Sequence, residues 1–178
     1  MPAHVVDKIA VARRQIAEAT LLFFERRDPI VIHTIVASAH QILIDLGKPR
    51  RIESAIKSTV RLRSKKAQTF IAKVNYPYNF FKHADRDADS KIDVGPLFEL
   101  TQDVLMDAIV MLQRICGELP VEGKIFWHWF VSKNSESFDN VPDNGPIAAM
   151  QKQNVGSFSY TEIAAMIRLA RVENQGPC

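Results

Sequence analysis

Between Pro29 and Leu46 the chain carries Ile30, Val31, Ile32, Ile35, Val36, Ala39, Ile42, Leu43 and Ile44, spread over almost every direction of a helical wheel. A helix that is apolar nearly all round has to be enclosed by other helices. The β-branched run Ile30-Val31-Ile32 would also suit a strand, but Ala37, Ala39, Leu43 and Leu46 carry the pattern well beyond strand length. Asp28 suits the N-cap and Pro29 the first helical position, while Gly47 ends the helix and Pro49 prevents its resumption. His33, His40, Gln41 and Asp45 interrupt the run, so it reads as the centre of a bundle and not as a membrane span.

The flanking segments supply the enclosing helices. Val5 to Arg27 repeats Ile9, Ala12, Ile16, Ala19 and Phe23 at helical spacing. Ile52 to Val74 reads as one long amphipathic helix, with Ile52, Ile56, Val60, Phe70/Ile71 and Val74 as its stripe and Ser64 as a candidate break. Pro77 opens a short helix to about Ala84, followed by an acidic loop from Asp85 to Asp93. Gly95-Pro96 restarts a helix that Gly117 ends, with Leu97, Leu100, Val104, Leu105, Ala108, Ile109 and Leu112 inward. Ile125 to Val131 reads as a further helix. Residues 135–158 are loop-rich, with a short helix around Ile147 to Lys152. Ser159-Tyr160-Thr161-Glu162 then has the form of a capping box before Ile163, Met166, Ile167 and Ala170. No alternating strand is visible. The expected fold is all-α, one domain over residues 1–178, a bundle of about five to seven helices.

With 178 residues the chain can bury a core without disulfides, and Cys116 and Cys178 are too few for a disulfide framework. A reducing, cytoplasmic setting is the expectation, since the N-terminus lacks the apolar core of a signal peptide.

Charge is distributed unevenly. Lys48 to Lys73 contains nine basic residues, among them Arg61, Arg63, Lys65 and Lys66, against the single acid Glu53; the whole chain is +3, so the remainder carries a net −5. Such a face suits phosphate backbones, and the expected partner is a nucleic acid or another polyanion. The plainer reading is a solvated helix face neutralised by Glu99, Asp103 and Asp107.

Asp85-x-Asp87-x-Asp89 resembles the start of a calcium loop, but Ser90 stands where the turn needs glycine and Pro96 where a bidentate Glu belongs. His33 and His40 are seven apart, about 10 Å along one helix, too far to share a metal. Neither a metal nor another cofactor is expected. Asn79 and His83 share a helix face beside the acidic loop and form, with Asp85, a candidate polar binding cluster; the alternative is that His83 caps its own helix. The aromatic segments 76–81 and 126–130 could serve a homodimer or other protein interface.

Leu22-Phe23-Phe24, Asp28-Pro29, His33-Thr34, Leu46-Gly47-Lys48 and Asn79-Phe80-Phe81-Lys82-His83 together resemble a group of bacterial all-helical proteins. Arg27-Asp28-Pro29-Ile30-Val31-Ile32-His33 is similar to the Arg…His signature of the HEPN (higher eukaryotes and prokaryotes nucleotide-binding) superfamily, whose members are helical bundles, often dimeric, and in many cases metal-independent RNases. The resemblance implies Arg27 positioning a phosphate and His33 as general acid/base. Asn79…His83 departs from that signature in carrying Asn in place of Arg and in being one residue short.

Overall fold

The computed structural model describes residues 5–57, 65–85, 87–134 and 155–174. Six α-helices and no strands occur among them: α1 Lys8–Phe24, α2 Pro29–Gly47, α3 Lys65–Lys82, α4 Leu97–Cys116, α5 Val121–Lys133 and α6 Tyr160–Asn174. Single 3-10 turns occupy Lys48–Arg50 and Val155–Ser157. The expected helix at 147–152 and most of the loop-rich stretch lie outside the described residues.

α2 is long and apolar enough by composition to cross a bilayer, yet here it lies between α1 and α4, its most extensive neighbours. Ile32, Val36, Ala39 and Leu43 are wholly buried against Ile16, Phe23, Val104, Leu105, Ala108 and Leu112. Each of the large side chains among them contributes about 1.5–3 kcal/mol of burial, which makes the α1–α2–α4 layer the core of the molecule. A second aromatic layer closes the other side of α1. Phe23 stacks on Phe98 at 4.4 Å, and Phe24 meets Trp129 edge-on at 5.0 Å. Tyr160, Ile163 and Ile167 dock α6 onto this layer, and Arg171 fastens it through Glu122 at 2.5 Å and the Ala17 carbonyl at 3.1 Å.

Local signals set most helix ends. Asp28 Oδ1 accepts from the Ile30 N–H at 2.8 Å with Pro29 at the first position. Ser159 and Glu162 exchange bonds in a complete capping box, Glu162 accepting from the Ser159 N–H at 2.8 Å and donating its own N–H to Ser159 Oγ at 3.3 Å. Gly117 adopts φ +75° after α4.

Gly47 behaves differently from a terminating glycine. It stays right-handed, and the left-handed residue comes later, at Arg51 with φ 55°. There the N–H of Ile52 reaches back to the Gly47 carbonyl at 3.0 Å and that of Arg51 to the Lys48 carbonyl at 3.2 Å, a Schellman closure. Gly47 is required for space: a Cβ would stand 2.5 Å from the Ile52 carbonyl oxygen and 3.3 Å from the Met111 methyl. An L-residue at φ 55° costs about 1–2 kcal/mol, partly offset by the extra unfolded-state entropy of glycine. Arg51→Gly should therefore raise stability by about 0.5–1 kcal/mol in urea unfolding. Arg26 has the same φ of 55° but lies over Phe98 at 4.1 Å and Tyr160 at 5.0 Å, so Arg26→Gly should show no such gain. Destabilisation by Arg51→Gly would refute this account of the bend.

The sequence expectation fails at Ile52. Residues 52–57 are turns and irregular backbone, and α3 runs from Lys65 to Lys82 straight through Pro77, which was expected to open a new helix. The first departure has a long-range cause, described below. The second follows from packing: Val74 and Pro77 are both buried on one face, which holds the helix together across the hydrogen bond that proline cannot donate.

Candidate functional site

A hub of buried polar groups joins α2, α4 and the 52–57 segment. Asp107 lies on the inward stripe of α4, three residues after Val104 and four before Met111. Its Oδ2 accepts from His40 Nε2 at 2.7 Å and from Ser54 Oγ at 2.5 Å, and its Oδ1 accepts from the Ala55 N–H at 2.9 Å. Ser54 Oγ in turn accepts from the Lys57 N–H at 2.9 Å. These bonds span 67 and 53 residues, and they claim backbone and side-chain groups that a helix starting at Ile52 would have used for itself.

The charge states follow from the surroundings. Burial works to raise the Asp107 carboxyl, but the bonds from His40, Ser54 and Ala55 outweigh it and hold it below the usual carboxylate range. Burial pushes His40 down more than its bond to Asp107 lifts it. The pair is therefore a neutral imidazole donating Nε2–H to a carboxylate, which leaves Nδ1 as a lone pair with no partner among the described residues. Burial also lowers the Lys57 ammonium, against the attraction of Asp107. Lys57 thus supplies the positive charge facing the buried aspartate.

His33 sits two turns earlier on α2, fully buried. Thr101 gives its hydroxyl proton to the Leu97 carbonyl at 2.6 Å, so the contact of 3.0 Å between His33 Nδ1 and Thr101 Oγ1 must be donated by His33. Its Nε2 has no partner among the described residues. Burial, aided by the Lys57 charge, depresses its pKa to about 4.

Outside the hub lies an open hollow of about 560 Å³ between the end of α2, the 51–57 segment and α3. Lys48, Arg51 and Lys57 line it with the amides Gln41 and Asn75, over a floor of Ile44, Ile52 and Ile71; Glu53 is the one acid among the described residues of its lining. Lys48 is held by Asp45 at 2.7 Å, but both side chains are exposed, and a surface pair worth about 0–1 kcal/mol yields readily to a phosphate. A larger hollow of about 620 Å³, lined by Arg14, Lys124 and Arg171 against Glu18 and Glu122, carries a smaller surplus, because it has a second acid and Arg171 already pairs with Glu18 at 3.0 Å and with Glu122.

The residues singled out in the sequence are distributed as follows. Arg27 is exposed and paired with Glu25 at 2.9 Å, while His33 is enclosed, so the structure does not bring the two together at an open site. Asn79, His83 and Asp87 line a small hollow of about 180 Å³, and His83 Nδ1 lies 3.8 Å from Asp85 Oδ1, both side chains well exposed. Lys65 and Lys66 open α3, and Arg61 and Arg63 lie outside the described residues. No group of three or more metal-ligating side chains occurs among the described residues. Of the aromatics at 126–130, Phe126 and Trp129 are core. Of the site residues, the sequence reading counts Arg51 and Lys57 within the basic stretch, reads Gln41 as an interruption of the apolar helix and Asp107 as an acid outside it, and does not single out Ser54 or Asn75. The place of Asp107 on an otherwise apolar stripe was the local signal of its burial.

No family model matches the sequence, and neither the curated proteins nor the solved structures include a significant match. The resemblance to the HEPN superfamily therefore has no support from these comparisons.

Proposed function

We propose that the chain binds a polyanion, RNA foremost, along the face that begins at Lys48 and continues onto α3, with the Lys48–Arg51–Lys57 hollow as a phosphate-docking point. The observation that carries this reading is the convergence of three cations and two amides on one hollow whose lining has a single acid among the described residues. The hub supports it: Asp107 fixes Ser54 and Ala55, and through them the backbone that presents Lys57. A cation held by its own backbone loses less freedom on binding than one on a loose surface.

Fluorescence anisotropy with a short labelled single-stranded RNA tests it. Log affinity should fall linearly with log salt, at about −0.7 per phosphate contact. Arg51→Gln with Lys57→Gln should weaken binding and flatten that slope, as should the set Arg61, Arg63, Lys65 and Lys66 changed to Gln. Absence of salt-sensitive binding at low ionic strength would remove the proposal.

A further inference from the structure

α3 is incompletely packed. Of its described side chains only Val74 and Pro77 are buried, and Phe70 and Tyr76 keep 47% and 50% of their surface exposed. Between its inner face and the start of α4 the structure leaves a second open hollow, of about 480 Å³, walled by Phe70, Val74, Pro77, Ile92, Leu97 and Leu100. A hollow of that size falls within the range of small-molecule sites, and its walls are mostly carbon. Its mouth is polar. Lys73 from α3 and Lys91 from the preceding loop both border it, both are exposed, and neither has an ion-pair partner among the described residues. Asp93 also borders it, but one of its oxygens is occupied by the Gly95 N–H at 2.9 Å. Among the described residues the mouth thus carries two cations against one carboxylate, a net positive charge.

We propose that this hollow is a binding site for an amphipathic monocarboxylate of the medium-chain fatty acid class. The alkyl chain lies along Phe70, Val74, Leu97 and Leu100 and supplies the apolar partner that α3 lacks. The carboxylate meets Lys73 and Lys91. Charge at the mouth selects the anion over a neutral or cationic analogue of equal chain length. The site is separate from the phosphate hollow, which lies against the end of α2, and it stands whether or not RNA binds.

Isothermal titration with decanoate, decanol and decyltrimethylammonium, each below its micellar concentration, tests the assignment. Decanoate should bind saturably, about tenfold tighter than decanol, with the cationic analogue weakest. The double variant Lys73→Gln/Lys91→Gln should bring decanoate to the level of decanol and leave decanol unchanged, which also shows that the hollow is intact. Equal affinity of decanoate and decanol in the unmodified protein would overturn the proposal and mark the groove as a seat for uncharged groups, such as a partner's apolar side chains. Failure of decanoate to bind, or binding unaffected by the double variant, would overturn it equally.

Discussion

Asp107→Ala should cost about 3–5 kcal/mol in equilibrium urea unfolding at neutral pH. The change leaves His40 Nε2–H, Ser54 Oγ–H and the Ala55 N–H facing a site with no acceptor, and it strips Lys57 of its counter-charge. Each unsatisfied buried donor costs about 1–3 kcal/mol, and removing one partner of a buried charge pair falls in the same total range. Against the 5–15 kcal/mol of a whole domain, that is a large fraction. Asp107→Asn should cost less. Its amide oxygen can still accept from Ala55, and its NH₂ can donate to His40 once the imidazole changes tautomer. A loss below about 1 kcal/mol for the alanine variant would mean that water satisfies the hub without the carboxylate.

Acid should unfold the protein earlier than carboxylate titration alone would require. His33 has a folded pKa of about 4 against about 6.5 unfolded, so between those values the unfolded chain binds more protons and stability falls as pH falls. The full difference is about 3 kcal/mol, present above pH 6.5 and gone near pH 4. His40, also depressed by burial, adds in the same direction. Asp107 contributes only at lower pH, because its folded value lies beneath the ordinary carboxylate range. His33→Leu separates the histidine contribution. Thr101 keeps its bond to the Leu97 carbonyl, so the variant should lie within about 1 kcal/mol of the parent at pH 7 and show a flatter pH dependence below it. Stability independent of pH across this window in the unmodified protein would show that both imidazoles protonate in place.

The helices that the sequence announced were those whose ends are local events. Asp28-Pro29, Ser159 to Glu162 and Gly117 each act within four residues, and each does in the structure what its spacing implies. The central position of α2 was equally legible, because an all-round apolar helix has no other place. Ile52 to Val74 was misjudged because the groups that unwind its start belong to Asp107, more than fifty residues later. The same aspartate had been assigned to neutralising the basic face from outside. It lies inside, and only its place between Val104 and Met111 hinted at that. The hollow was half legible. The basic stretch named the region, but the contribution of Gln41 from α2 and Asn75 from α3 depends on how three segments meet.

The missing carbon at Gly47 ties the hub to the hollow in a way that constrains how this sequence can drift. An added methyl would collide at 2.5 Å with the Ile52 carbonyl, which is main chain, so trimming a neighbouring side chain cannot make room for it. Shortening Met111 would relieve only the lesser contact, at 3.3 Å. Compensation would have to move the 52–57 segment itself, and with it both donors to Asp107 and the backbone that carries Lys57. Position 47 is therefore a site without second-site suppressors in side chains: a lineage that keeps the buried aspartate bonded and Lys57 at the rim keeps glycine there, and one that loses the glycine has freed both at once.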